Sequence, residues 1–197
     1  MNETNKLPST IPIFPLSNFI IFPDTTVPLN IFEPRYIEMI DDSMKSHRLI
    51  GMVQPKKSGK LKKPDLYEVG CVGKITSFNE TDDGRYLIII NGVSRFNIEK
   101  EIETDKLYRS CRVNYQNYTK DLENKVEKFS ITELDKILKD LKSLFEKKGF
   151  MVDWSNLKKQ DFSNTLNTLS MASPFSLEEK QILLETKDLN TRKLRLE

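Results

Sequence analysis

The stretch Ile11 to Tyr36, IPIFPLSNFIIFPDTTVPLNIFEPRY, decides the fold, because prolines interrupt each of its short apolar runs. Proline fixes its own φ, removes an N–H donor and biases the residue before it towards extended backbone. The stretch therefore reads as broken β-strands and corners, and helix is excluded until Pro34. There proline suits the first turn of a helix, where its missing N–H would be unbonded anyway. Ile37, Ile40 and Met44 then fall on one helical face. Strand, corner, strand and helix are thus written in the first quarter of the chain.

Working outward, the middle of the chain is β. Arg48–Gln54 reads as a short buried strand, followed by a polar loop at 55–64. Leu66–Phe78 alternates apolar Tyr67, Val69, Cys71 and Ile75 with polar Glu68, Lys74 and Thr76, the period of two expected of a half-buried strand. Its Gly70 and Gly73 suggest a bend or a close backbone approach. Asp83-Gly84 signals a turn before the apolar strand Tyr86–Ile90, and Asn91-Gly92 signals a second turn before Val93–Ile102. Tyr108–Tyr118 makes a further strand. Several short strands at such spacing argue for a small barrel or curled sheet, which leaves few open edges.

Near Asp121 the pattern changes. Leu134, Ile137, Leu138, Leu141, Leu144 and Phe145 form an amphipathic stripe stopped by Lys147-Lys148-Gly149, so a long helix is expected over roughly 122–148. Phe162, Leu166 and Leu169 mark a second helix ending before Pro174. Ser176 with Glu179 forms a capping box that opens a third. The resulting division is a disordered tail over 1–10, a barrel over 11–120 and a helical subdomain over 121–197.

The 197 residues are 38% hydrophobic and 30% charged, with a net charge of +2, an ordinary balance for a soluble globular protein. No global basic field points to nucleic acid. No apolar run reaches the ~18 residues of a membrane span, and the first residues lack the apolar core of a secretory leader, so a cytoplasmic protein is expected. Cys71 and Cys111 lie in strand-like segments and read as small buried hydrophobes. Together with the lone histidine, His47, they do not reach metal-ligand spacing, and no G-x-x-x-x-G-K-[ST] loop is present to cradle a nucleotide. Neither cofactor nor metal is expected, and no catalytic residue presents itself.

Seven blocks in order carry a resemblance: IPIFPL at 11–16, FP at 22–23, PLNIFEPRY at 28–36, LIGMV at 49–53, LYEVGCVGKI at 66–75, DGRY at 83–86 and NGVSRFNI at 91–98. With the closing segment MASPFSLEEKQILLE at 171–185, they resemble the N-terminal, substrate-binding domain of the ATP-dependent protease Lon, in a free-standing form. The resemblance implies an α+β fold, a PUA-like β-barrel followed by a C-terminal helical bundle. It implies a module that recognises unfolded or degron-bearing polypeptides, without the family's ATPase and Ser-Lys peptidase modules. An adaptor or holdase serving a protease encoded elsewhere would fit that description.

Within these blocks the candidate polypeptide-binding residues are Phe22, Phe32, Glu33, Arg35, Tyr36, Arg95 and Phe96. Arginine offers fixed donors to backbone carbonyls, and apolar chains need exposed aromatic surface beside an extended edge. The same residues also read as internal partners that pin the first helix to the barrel, with most of the aromatics in the core. An alternative partner is RNA, through Lys56, Lys57, Lys60, Lys62 and Lys63 of the loop KKSGKLKK. No aromatic residue is interleaved there for base stacking, and a solvated loop is the competing reading.

Overall fold

The structure is a computed structural model that describes residues 7–17, 19–56, 63–123, 131–149, 154–157 and 160–196. It divides into two compact units, 1–123 and 124–197. In the first, the chain runs β1 (Thr10–Pro15), β2 (Thr26–Ile31), α1 (Pro34–Met44), β3 (Leu49–Val53), β4 (Val69–Glu80), β5 (Tyr86–Ile102) and β6 (Arg109–Asn114), ending in a 3-10 segment, Gln116–Leu122. The strand order is β2-β5-β4-β3-β1-β6, and an added β5–β6 pairing closes five of the strands into a ring. Among the described residues only the β1–β3 pair is parallel. Its crossover is the proline-rich stretch itself, through β2 and α1.

Every ring strand sends apolar side chains inward. Ile11, Ile13, Leu49, Val53, Val72, Phe96, Cys111, Val113 and Tyr115 make one buried cluster. Both cysteines are buried free thiols, and burial pushes the Cys111 thiol up to about 11. A Cβ on Gly70 would stand 2.7 Å from the Phe96 ring and from the Met52 carbonyl oxygen, so the close approach expected there is real. Of the tail expected over 1–10, residues 7–10 are in place: Leu7 packs on the core, and the Pro8 carbonyl accepts a hydrogen bond from the Tyr115 hydroxyl at 3.0 Å. Residues 1–6 lie outside the described residues.

One turn expected from the sequence is absent. Asn91-Gly92 lies inside β5, a single 17-residue strand. A strand of that length serves two sets of neighbours: its first half pairs with β2 and β4, its last residues with β6. Gly92 is where it passes the preceding crossover. A Cβ there would lie 2.0 Å from the Phe22 carbonyl oxygen, and the Gly92 backbone exchanges hydrogen bonds with Asp24 and Thr25. Glycine is needed for contact, not for a hairpin. Register shifts after Val72 and Ile75 in β4 and after Ile98 in β5 supply the curvature.

Helix α1 starts at Pro34 as expected, but its buried face is Tyr36, Met39, Ile40 and Ser43, with Ile37 and Met44 only half-buried. It is tied to the strands by the Phe14–Tyr36 ring contact at 4.3 Å and by the Tyr86 hydroxyl, which donates to Asp41 at 2.9 Å. His47, just past its end, is exposed.

The second unit holds α2 (Ile131–Lys147), α3 (Trp154–Leu157), α4 (Phe162–Ala172), α5 (Leu177–Glu185) and α6 (Leu189–Leu196). The long helix begins at Ile131 among the described residues, 124–130 of its expected span lying outside them, and the 3-10 segment replaces the end of the strand expected over Tyr108–Tyr118. Leu138, Leu141 and Phe145 of its stripe are buried, and Phe145 meets Trp154 edge-on at 5.5 Å. The capping box at Ser176 and Glu179 forms in both directions. Helix α6 was not legible: it is anchored by fully buried Arg192, which donates to the Leu183 carbonyl, to Thr186 and to Asn167.

Candidate peptide-binding surface

The seven candidate residues separate by burial. Phe22 and Phe96 are fully buried and belong to the core, so neither offers surface to a bound chain. Arg95 is also withdrawn from solvent. Its Nε and backbone N–H donate to Asp121 Oδ2 at 2.8 and 2.9 Å, its Nη2 donates to Oδ1 at 2.7 Å, and its guanidinium lies 4.3 Å over the Tyr118 ring. The arginine is thus an internal partner, as one of the two readings held, but it pins the 3-10 segment rather than the first helix. Its position inside the apolar block could not reveal a partner 26 residues away.

Glu33, Arg35 and Tyr36 stay together at the start of α1. Glu33 and Arg35 form an exposed ion pair at 2.7 Å, and the guanidinium lies 4.5 Å over the Tyr36 ring. Tyr36 is itself buried, and burial raises its pKa against the opposing pull of Arg35. Arg35 and Tyr36 open onto a cleft of about 800 Å³ that the 101–109 segment also lines. Its cations are held by carboxylates, Lys106 by Asp42 at 2.8 Å. Arg109 grips Glu101 at 2.7 and 3.0 Å and donates to the Pro64 carbonyl, while Lys63 holds the same carboxylate at 2.7 Å. Burial raises the Glu101 pKa, but the hydrogen bonds from Arg109 and Lys63 outweigh it and hold the carboxyl below its ordinary value. Of the other lysines in that loop, Lys56 lies over the Tyr67 ring at 5.9 Å, and Lys57, Lys60 and Lys62 fall outside the described residues. Among the described residues no cluster could hold a metal ion, and no helix is long and apolar enough to cross a membrane.

A smaller groove has the opposite chemistry. It holds about 370 Å³ on the outer face of β2, β5 and β4, with Leu87 and Ile89 of β5 along its floor. These side chains are 46% and 37% exposed, an unusual degree for large aliphatic residues in a strand with strands on both sides. The register puts Pro28 beside Ile89 and Asn30 beside Leu87 on the β2 side, and Ser77 and Asn79 opposite them on the β4 side. Asn30, Ser77 and Asn79 make no side-chain hydrogen bond among the described residues, whereas Asn91, at the end of the row, accepts from Thr26 and Thr76. Phe32, the candidate that the structure leaves 64% exposed, stands one residue beyond the end of β2.

Strand β2 pairs only with β5, so its other edge carries no strand among the described residues. Proline is admitted in a strand where its missing N–H points off the ladder, which puts the Pro28 backbone on that open edge. The edge is therefore interrupted at its centre, a common device against strand addition. Backbone pairing at an extended edge, expected from the sequence as part of recognition without a strand being named, is curtailed on β2, and the side-chain face of the sheet becomes the better surface. The groove residues are not among the candidates because Tyr86–Ile90 reads in the sequence only as an apolar strand, with neither face assigned to solvent. An unbroken apolar strand in a sheet with one solvated face must place some of those residues outside, and that was the available signal.

The family model described as the ATP-dependent protease La (LON) substrate-binding domain matches residues 10–196. The Lon protease of Desulfosudis oleivorans is 30% identical over 198 residues, covering 96% of this chain and 23% of the relative. The Lon protease of Dictyoglomus thermophilum is 24% identical over 200 residues, covering 98% of this chain and 24% of the relative. The chain thus spans about a quarter of the length of these relatives. Among solved structures, a Lon N-terminal domain protein from Xanthomonas campestris superimposes with a TM-score of 0.70 at 18% identity, covering 96% of this chain and 97% of that one. The N-terminal domain of Mycobacterium avium complex Lon protease gives 0.67 at 16%, covering 95% of each chain.

Proposed function

Since the chain belongs to the Lon substrate-binding domain family, we propose that it is a non-catalytic polypeptide-binding module whose contact surface is the outer face of β2, β5 and β4. The observation that carries this reading is the pair Leu87 and Ile89, apolar side chains held in solvent on a central strand and flanked by Asn30, Ser77 and Asn79, whose side chains make no hydrogen bond among the described residues. Exposed apolar surface with a polar rim is what capture of unfolded chains requires, because hydrophobic contact is non-directional and tolerates many sequences. The larger cleft fits this role less well, since its cations are neutralised by carboxylates: Arg35 by Glu33, Lys63 and Arg109 by Glu101, and Lys106 by Asp42. A module that binds without cutting would act as an adaptor or holdase. Its affinity would be modest, because a narrow groove must offset the cost of ordering a flexible chain.

The test is fluorescence anisotropy with a labelled, permanently unfolded client, comparing wild type with Leu87→Asp and Ile89→Asp. Both side chains already face solvent, so the variants should fold normally by circular dichroism. Client affinity should fall at least about 10-fold, as expected when a charge replaces an apolar contact. Unchanged affinity in both variants would place the site elsewhere.

A further inference from the structure

Strands β2, β5 and β4 form an arm of the sheet with two open edges among the described residues, and the edges are unlike. Strand β3 pairs with β4 only as far as Lys74; beyond it the Arg48 carbonyl accepts from the Ile75 N–H, and the chain turns away at Arg48, whose φ is 58°. From Ser77 to Glu80, β4 pairs with β5 alone among the described residues, and every one of these residues is exposed. The edge of β2 is interrupted by Pro28, whereas Ser77–Glu80 contains neither proline nor lysine to discourage pairing.

Successive residues of a strand point their N–H and C=O to alternate sides, so the neighbours fix which groups of β4 face outward. Gly92 exchanges hydrogen bonds with Asp24 and Thr25 on the β2 side, and Pro28 has no N–H to offer Ile89. Ile89 and Leu87 therefore turn to β4, where they engage Ser77 and Asn79. Phe78 and Glu80 then send their N–H and C=O outward, the way the Ile75 N–H already faces, with the register shift before Ser77 making up the odd spacing. On that side these groups have no backbone partner among the described residues. The Phe78 and Glu80 side chains lie on the face opposite Leu87 and Ile89, so what the two residues present at the edge is backbone.

Building on the polypeptide-binding reading above, we propose that an extended client segment docks as an added strand on this edge, held by the backbone of Phe78 and Glu80, with apolar side chains two residues apart reaching the groove. Such a strand would lie about 5 Å from β4 and about 10 Å from β5. Only Ser77 and Asn79 stand between, and both are short, so aromatic or long aliphatic side chains lean across them onto Leu87 and Ile89. The ~7 Å between Leu87 and Ile89 is also the repeat of same-side residues in an extended chain. Backbone bonds ignore sequence, and the groove asks only for apolar side chains at alternate positions, a combination open to many clients. The edge suits a client and not a second copy of this chain: two outward-facing residues supply far fewer hydrogen bonds than the roughly ten of a stable protein–protein interface.

A labelled peptide of about 12 residues whose core alternates leucine and serine tests this in three forms: unmodified, backbone N-methylated at successive serines, and N-methylated at successive leucines. Anisotropy should show one methylated form weakened at least about 10-fold and the other within about 3-fold of the parent, because only alternate N–H groups of an added strand face β4. Phe78→Pro removes an N–H that the β5 ladder does not use. It should bind the parent peptide at least about 3-fold more weakly than Phe78→Ala, which keeps that N–H, with both folds checked by circular dichroism. Should the proline variant misfold, the methylated pair decides alone. If the two methylated forms bind alike, or a folded Phe78→Pro binds as Phe78→Ala does, the added strand is overturned and side-chain capture in the groove stands. A dimer seen by sedimentation without peptide and dissolved by Phe78→Pro would assign the edge to a second copy and overturn the proposal as well. If neither the parent peptide nor an unfolded client binds, the earlier reading fails and this one falls with it.

Discussion

Changing Asp121 should test whether Arg95 is a structural residue, which matters because an arginine in a recognition domain invites a ligand-binding interpretation. Both side chains are nearly inaccessible, 3% and 8% exposed, and three hydrogen bonds join them. Asp121→Ala would take from the buried guanidinium and the backbone N–H of Arg95 the carboxylate they share. Removing one partner of a buried pair costs about 3–5 kcal/mol, because the remaining charge is left uncompensated. Replacing both, as Arg95→Met with Asp121→Leu, removes that charge, and what remains is the orphaned N–H, about 1–3 kcal/mol. The double variant should therefore be more stable than Asp121→Ala alone. Urea unfolding followed by tyrosine circular dichroism is a suitable assay, since all six tyrosines lie in the first unit and the single tryptophan in the second. A loss below about 1 kcal/mol for Asp121→Ala would mean that the pair is hydrated, and the structural assignment of Arg95 would be refuted.

Gly92→Ala should destabilise the strand unit by about 3 kcal/mol or more, since the added Cβ would meet the Phe22 carbonyl at 2.0 Å and backbone cannot step aside as a side chain can; a midpoint in urea equal to that of wild type would count against the continuous β5. Glu101→Gln tests the clasp with Arg109 and Lys63: because the folded-state pKa of Glu101 is depressed, its contribution is complete above the unfolded value of about 4.3 and is lost as pH falls through the folded one. The variant should be less stable than wild type at pH 7, and the gap should close progressively below about pH 4. A gap independent of pH would indicate lost packing, not lost charge.

The sequence by itself determined whatever depends on neighbours along the chain. The prolines at 12, 15, 23, 28 and 34 dictated extended segments and then a helix start, because proline acts on its own φ and on the residue before it. The turn at Asp83-Gly84 formed where expected, with Gly84 at φ 75°, and Ser176 and Glu179 closed their capping box, since each needs a partner no more than four residues away. The ordered blocks also carried the family. Only the tertiary structure decided what depends on partners brought together from a distance. Asn91-Gly92 has the composition of a hairpin, yet the Phe22 backbone lies against it and the strand runs on. Arg95 and Arg192 look like surface residues until Asp121 in one case, and the Leu183 carbonyl with Thr186 and Asn167 in the other, make burial tolerable. The same holds for the groove: Leu87 and Ile89 are ordinary strand residues in the sequence, and they become a surface because β2 and β4 flank them with short side chains and leave their outer face uncovered.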